Sequence, residues 1–273
     1  MPRRAFRVAY DGRPYHGFQR QPDVATVEGE LFGALRRLDV LAGDERRPDG
    51  YAAAGRTDAG VSALRQTVAF DAPEWLTPHA LTGELPRSIR AWASTDAPSD
   101  FHATHHANRR TYRYFLFSPD RGREYDDRAA RALDRLLGEH DFHNLTPDDH
   151  GTVRDLDGGA ERDGAFLVVT LRASGFCREL VRRVVSLVAE VAAAGDFERI
   201  DAALGDDPLD GPAGVQPAPP GPLVLHDVAY DLDFAVDADA AAAARAAFGG
   251  LREERRGLAR VAGHVADHLA DGA

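Results

Sequence analysis

The run Ala54-Gly55-Arg56-Thr57-Asp58-Ala59-Gly60-Val61 sets one guanidinium and one carboxylate two residues apart among small residues. Glycines on both sides let such a loop bring its backbone close to a ligand and meet it with a cation and an anion together. The plainer reading is a Thr-Asp turn, which is the commoner fate of an isolated loop of this kind. Neither Gly-Lys-Ser/Thr nor a G-x-G-x-x-G pattern is present, so the known phosphate-cradling loops are excluded. A second group is Arg109-Arg110-Thr111-Tyr112-Arg113-Tyr114-Phe115-Leu116-Phe117. As a strand it puts Tyr112, Tyr114 and Leu116 on one face, and rings interleaved with arginines suit stacking on bases while touching phosphates. An ordinary aromatic core strand has the same pattern. In the third group, Ser174 to Arg183, Arg178 and Arg182 are four apart and are expected on one helix face near the helix start. The helix dipole disfavours cations there, which implies an acidic neighbour.

Other candidates are weaker. His102, His105 and His106 with Asp100 do not follow a familiar metal-ligand spacing, and solvent-facing or RNA-facing histidines are the expected reading. Asp206, Asp207 and Asp210 lack the alternation and terminal glutamate of a calcium loop. Cys177 is the single cysteine, so neither an internal disulfide nor a cysteine-built zinc site is available.

The elements that must position these groups follow from periodicity. Residues 4 to 10 alternate as a strand ending at Asp11-Gly12. Val27, Leu31, Ala34, Leu35 and Leu38 recur at helical spacing behind Thr26, a suitable N-cap. Leu64, Gln66, Val68 and Phe70 predict one face of a second strand, and Ile89 to Ser94 a third. Beyond the turn-rich stretch 96–100 the order restarts: a strand over 110–117, a helix over 127–137, a strand over 166–171, a helix over 176–193 and a strand over 223–232. The expected domains are therefore 1–99, 100–235 and a helical extension, 236–273, the last with an alanine-rich segment and an amphipathic stripe of Leu258, Val261, Val265 and Leu269. Similar element order in the two halves suits an α+β fold of two split β-α-β domains.

The chain has 273 residues, a length prior of about two domains. Its longest apolar runs fall short of the ~20 residues a membrane span requires. Met-Pro-Arg-Arg-Ala-Phe leads straight into a strand-like segment without a signal-like apolar run, so a cytoplasmic protein with no membrane partner is expected. All 33 basic residues are arginine, and 31 aspartates and 13 glutamates bring the net charge to −11. At face value that charge opposes a nucleic-acid partner, unless the arginines cluster.

Taken in order, Tyr10-Asp11-Gly12, Tyr15-His16-Gly17-Phe18-Gln19-Arg20-Gln21, Gly55 to Val61, Leu85-Pro86, Asp100-Phe101-His102-Ala103, Arg110 to Tyr114 and Leu180-Val181-Arg182 resemble the tRNA pseudouridine synthase A family over residues 4 to about 232. The Gly-Arg-Thr-Asp-Ala-Gly-Val block is the most specific part. Arg183 and Ser186 stand where the family usually has Asn and Gly, Phe18 where Trp is more common, and the amphipathic tail after Asp233 carries none of the motifs that make the resemblance.

The resemblance implies isomerisation of uridine to pseudouridine at positions 38, 39 or 40 of the tRNA anticodon arm, without metal or cofactor. It implies two ferredoxin-like domains in one continuous mixed sheet, helices on the outer face, a central RNA-binding cleft and a homodimer. Asp58 would be the nucleophile and Arg182 its paired cation. Tyr112 would stack on the target base and is also a candidate for the later removal of the C5 proton, and Arg56 would fill the space the extruded uridine leaves. Gln19 and Arg20 would touch RNA backbone, with Arg110 among the substrate contacts. The alternative is a non-catalytic RNA-binding protein on the same scaffold, which has no need of a carboxylate aimed at anionic RNA. In molar salt, charge repulsion is screened within ~3 Å. The arginine-rich, lysine-free composition suits either a GC-rich genome or adaptation to high salt, and the aspartate excess suits the second better. The expectation is a halophilic archaeal enzyme with Arg20, Arg56, Arg109, Arg110, Arg113, Arg178 and Arg182 gathered along the cleft.

Overall fold

The computed structural model describes residues 1–209 and 211–270, so Asp210 and the last three residues of the expected extension lie outside the described residues. The chain runs β1 (Arg3–Tyr10), α1 (Val27–Arg37), β2 (Ala52–Ala53), β3 (Ser62–Asp71), α2 (Pro78–Glu84) and β4 (Ile89–Asp96). It continues with β5 (Arg109–Phe117), α3 (Arg123–Asp134), β6 (Gly138–Asp141), β7 (Val153–Asp163), β8 (Phe166–Ala173), α4 (Leu180–Ala194), α5 (Glu198–Leu204) and β9 (Leu223–Ala229). A short β10 (Ala235–Val236) and the long α6 (Ala238–Ala270) complete it. No helix among the described residues is long and apolar enough to cross a membrane.

The ten strands of the described residues join one sheet in the order β10-β4-β1-β3-β9-β5-β8-β7-β6, with β2 paired to β3. The pairs are antiparallel except at the centre, where β3 meets β9 in parallel through Ser62–Val224 and Ala63–Leu225. On either side of this seam the strands stand in equivalent sequence, β4-β1-β3-β2 and β9-β5-β8-β7. Phe6, Val8, Tyr10, Leu31, Phe32 and Leu35 fill the core of the first half. Tyr114, Leu133, Leu171, Val184, Leu187 and Val188 belong to that of the second. Tyr112 touches both.

Local chemistry explains where elements begin and end. Thr26 accepts from Gly29 N at 3.2 Å, an N-cap worth about 1 kcal/mol, and Glu28 and Glu30 lie in the first turn of α1. In β3, Gln66, Val68 and Phe70 are buried, but Leu64 is 42% exposed, against the expected common face. A register shift against β1 between Val8 and Tyr10 turns the preceding residues over, so Ala63 joins the core instead.

The helix expected over 127–137 forms earlier: Gly122 is its N-cap, Glu124 and Asp126 sit in its first turn, and Arg135 ends it. The helix expected from residue 176 starts only at Leu180, because Glu179 adopts a left-handed backbone, φ 61°. Arg178 is therefore in the turn before α4 and shares no helix face with Arg182. β7 was not expected, since its Val-Arg-Asp-Leu-Asp-Gly-Gly-Ala run has neither an apolar stretch nor clean alternation. The two segments of the extension form one 33-residue helix, packed at Ala240, Ala241, Ala244 and Ala247, with Leu258, Val261, Val265 and Leu269 exposed.

Candidate active site

The loop 54–61 enters β3 at the central seam, so Asp58 lies where the halves of the sheet meet. Backbone bonds fix it: Phe18 N donates to Thr57 O at 3.0 Å, Gly60 N to Tyr15 O at 3.3 Å, and Val61 N to Asp58 O at 3.1 Å. Beneath it, the Tyr10 and Thr57 hydroxyls bond at 2.8 Å, and Gln66 Nε2 donates to Gly55 O at 2.9 Å. Tyr10, Thr57 and Gln66 are all buried, so each lost partner would leave a costly unsatisfied group. Gly12 is required because any Cβ there would collide with the Val61 carbonyl, and Gly60 because its φ is +82°.

The second half brings Arg182, on the first turn of α4, to this loop. Its Nε is 3.3 Å from Asp58 Oδ2, and its Nη2 is 3.2 Å from Glu179 Oε1. Nη1 donates to Ala218 O at 3.4 Å. Nε is buried yet makes no aligned hydrogen bond, so the Asp58 contact is an ion pair by distance and not a formed hydrogen bond. Burial pushes the Asp58 carboxyl above its ordinary value; Arg182 opposes this, Glu179 adds to it and Arg178 opposes it more weakly. The pairing cation thus offsets only part of the desolvation.

Tyr112, in β5, meets Phe176 edge to face at 5.1 Å, and burial pushes its phenol up to about 12. It is a neutral donor near pH 7, poorly suited to take a proton. Arg56 is exposed in the cleft with no ion-pair partner among the described residues. Gln19 and Arg20 are also exposed there, Arg20 held through its N–H to Glu28 Oε2 at 2.7 Å and its Nη1 to Arg46 O at 3.2 Å. Arg178 pairs with Asp148 at 3.4 Å, so an acidic neighbour is present, although Arg178 precedes α4 and the dipole argument for one does not apply.

Asp58, Arg182, Tyr112, Arg56, Gln19 and Arg20 thus line one cleft of about 1970 Å³. Arg110 does not line it: its guanidinium donates to the carbonyls of Ala54, Thr104 and Ser174, tying the Asp58 loop to β5 and its surroundings. Arg109 and Arg113 also lie outside the lining, whereas Arg46 and Arg47 are in it. Six arginines face five carboxylates in the cleft, a slightly positive balance on a chain of −11. Sequence reasoning missed Glu179, whose only signal is its position three and four residues before Arg182 and Arg183. The His102 and His105 rings lie 4.3 Å apart, tilted by 31°, and among the described residues no three His, Cys, Asp or Glu are grouped to hold a metal ion.

The family described as tRNA pseudouridine synthase matches residues 132–231, a span that holds Arg182 but not Asp58. Similarity to individual proteins covers far more. The chain is 68% identical over 267 residues to "tRNA pseudouridine synthase A" of Halobacterium salinarum, covering 97% of this chain and 99% of that one. The protein of the same name in Haloarcula marismortui is 57% identical over 277 residues, covering 98% and 99%. That of Archaeoglobus fulgidus is 37% identical over 245 residues, covering 87% of each. Identity at this level over nearly the full length, with similar relatives from halophilic archaea, places the chain in the tRNA pseudouridine synthase A family of isomerases.

Proposed function

We propose that this enzyme isomerises uridine to pseudouridine in the anticodon stem-loop of tRNA, at one or more of positions 38, 39 and 40, with Asp58 as nucleophile. The observation that carries the reading is the meeting of Asp58, Arg182 and Tyr112 in one cleft from distant parts of the chain. In the reaction the C1′–N1 bond breaks, the base turns, a C1′–C5 bond forms, the C5 proton leaves and N1 gains one. No atom or electron is gained overall, so the step calls for no cofactor. A carboxylate suits it, whether it attacks C1′, adds to the base or abstracts a ribose proton, and it must be ionised to do so. Arg182 stabilises that ionised form against burial.

Tyr112, held by Phe176, stacks on the extruded base, and Arg56 enters the vacated position in the RNA. Gln19 and Arg20 meet the backbone, and Arg110 acts on the substrate indirectly by holding the Asp58 loop. The equivalent strand orders on the two sides of the seam support two ferredoxin-like domains, 1–99 and 100–235, with 236–273 as an extension. A cytoplasmic homodimer is part of the same reading, checked by light scattering in concentrated salt.

The test is tritium release from C5-labelled uridine in tRNA, with pseudouridine mapped in the anticodon arm of the product. Loss of both in Asp58→Asn, with tRNA binding kept within about threefold, supports the reading. Normal turnover in that variant overturns it.

A further inference from the structure

We propose that Glu179 is a positioning residue for this reaction: its carboxylate holds the Nη2 end of Arg182 away from Asp58, leaving the nucleophile paired through Nε alone and free to reach substrate. The proposal rests on Asp58 being the nucleophile.

Guanidinium and carboxylate favour a two-pronged pairing in which two nitrogens meet both oxygens. Arg182 does not pair with Asp58 that way. Its Nη2 is 3.2 Å from Glu179 Oε1, an ion pair by distance like that of Nε with Asp58, and its Nη1 donates to Ala218 O, so only Nε, 3.3 Å from Oδ2, faces Asp58. Glu179 is itself anchored. Its Oε2 accepts from Arg183 Nη2 at 2.7 Å and Nε at 3.2 Å, and Arg183 Nη1 donates to Val215 O at 2.5 Å.

The backbone at Glu179 is the second sign. At φ 61° a side chain is disfavoured and glycine is the easy choice. Glu179 also precedes the first residue of α4 without capping it, because its side chain is turned to the two arginines. A bond to Arg183 alone would be an ordinary helix-surface pair. The contact with Arg182, next to the nucleophile, is what such a pair does not require. Strained backbone of this kind persists where the surroundings enforce it, and it concentrates at functional sites.

The charged and titratable groups that bear on Asp58 are Arg182, Glu179 and Arg178 from α4 and its leading turn, and Tyr112 from β5. Replacing Glu179 removes a like charge and gives Arg182 wholly to Asp58. The nucleophile then ionises at lower pH and is held more tightly.

The experiment compares full-length wild type, Glu179→Gln, Glu179→Gly and Asp58→Asn by tritium release from C5-labelled tRNA across roughly pH 4 to 8 in constant concentrated salt. Glu179→Gly accepts the left-handed backbone without strain and guards against misfolding of the glutamine variant. We expect kcat at the plateau to fall about tenfold with KM for tRNA unchanged or lower. The acidic limb should move to lower pH by roughly half a unit or more. A folded variant with an unmoved limb overturns the proposal, whatever its kcat, as does unfolding of both variants, which would assign Glu179 to stability. An inactive Asp58→Asn beside an unmoved limb removes only the role of Glu179; an active Asp58→Asn removes that role and the nucleophile assignment together.

Discussion

The two walls of the cleft are built on opposite terms. The Asp58 loop is tied down by backbone bonds to residues 15–18, by the buried Tyr10–Thr57 pair and by Arg110. Facing it, the start of α4 carries a left-handed glutamate, a buried Arg182 nitrogen without an aligned bond, and no side-chain cap. A left-handed residue other than glycine costs about 1–3 kcal/mol, so this wall is held by tertiary contacts and not by local preference. One wall fixes where the Asp58 carboxylate is; the other sets how firmly its charge is held.

The largest effect that would test this division is at Asp58. Asp58→Asn should lower turnover by ~1,000-fold or more. It should also raise the melting temperature near neutral pH. An acid whose folded-state value is raised favours the protonated fold, so ionisation opposes folding once pH climbs past its unfolded value. The gain should vanish in acid below that value, and a variant less stable at neutral pH would contradict the sign.

On the opposite wall, Arg182→Met should lower kcat by about 100-fold, since Asp58 then lacks its main counter-charge. The acidic limb of the rate profile should move to higher pH, opposite to the shift expected for Glu179→Gln. An active Arg182→Met enzyme with an unmoved limb would mean that another cation pairs with Asp58.

Smaller effects separate support from chemistry. Thr57→Val leaves the Tyr10 hydroxyl without its shortest bond and should cost roughly 1–2 kcal/mol in denaturant unfolding. Its activity should drop several-fold through looseness of the loop. Smallest of all should be Tyr112→Phe, which keeps the ring: kcat at neutral pH is expected to stay within about fivefold of wild type. A loss beyond about 100-fold would assign proton transfer to the hydroxyl.

Much of the local architecture could be read from residue order because its causes are local. Thr26 and the apolar period behind it specify α1, and alternation specifies β1 and β5. The small-residue block 54–61 and the aromatic-arginine strand singled out Asp58 and Tyr112 without any contact being known. Elements with a nonlocal cause are not legible in this way. The bulge that turns Leu64 outward depends on pairing with β1, and β7 is a strand only because β8 offers it an edge.

Motif order therefore carried the resemblance to the family, and period and small-residue spacing marked the principal elements and the loop that carries the carboxylate. Only the folded chain decided what surrounds it. Asp58 and Arg182 are 124 residues apart and meet because β3 and β9 join in parallel at the seam. Arg110 became a tie, Arg178 left the helix, and Glu179 took half of Arg182, since the reach of a guanidinium depends on which carbonyls and carboxylates the tertiary structure places within about 3 Å of it.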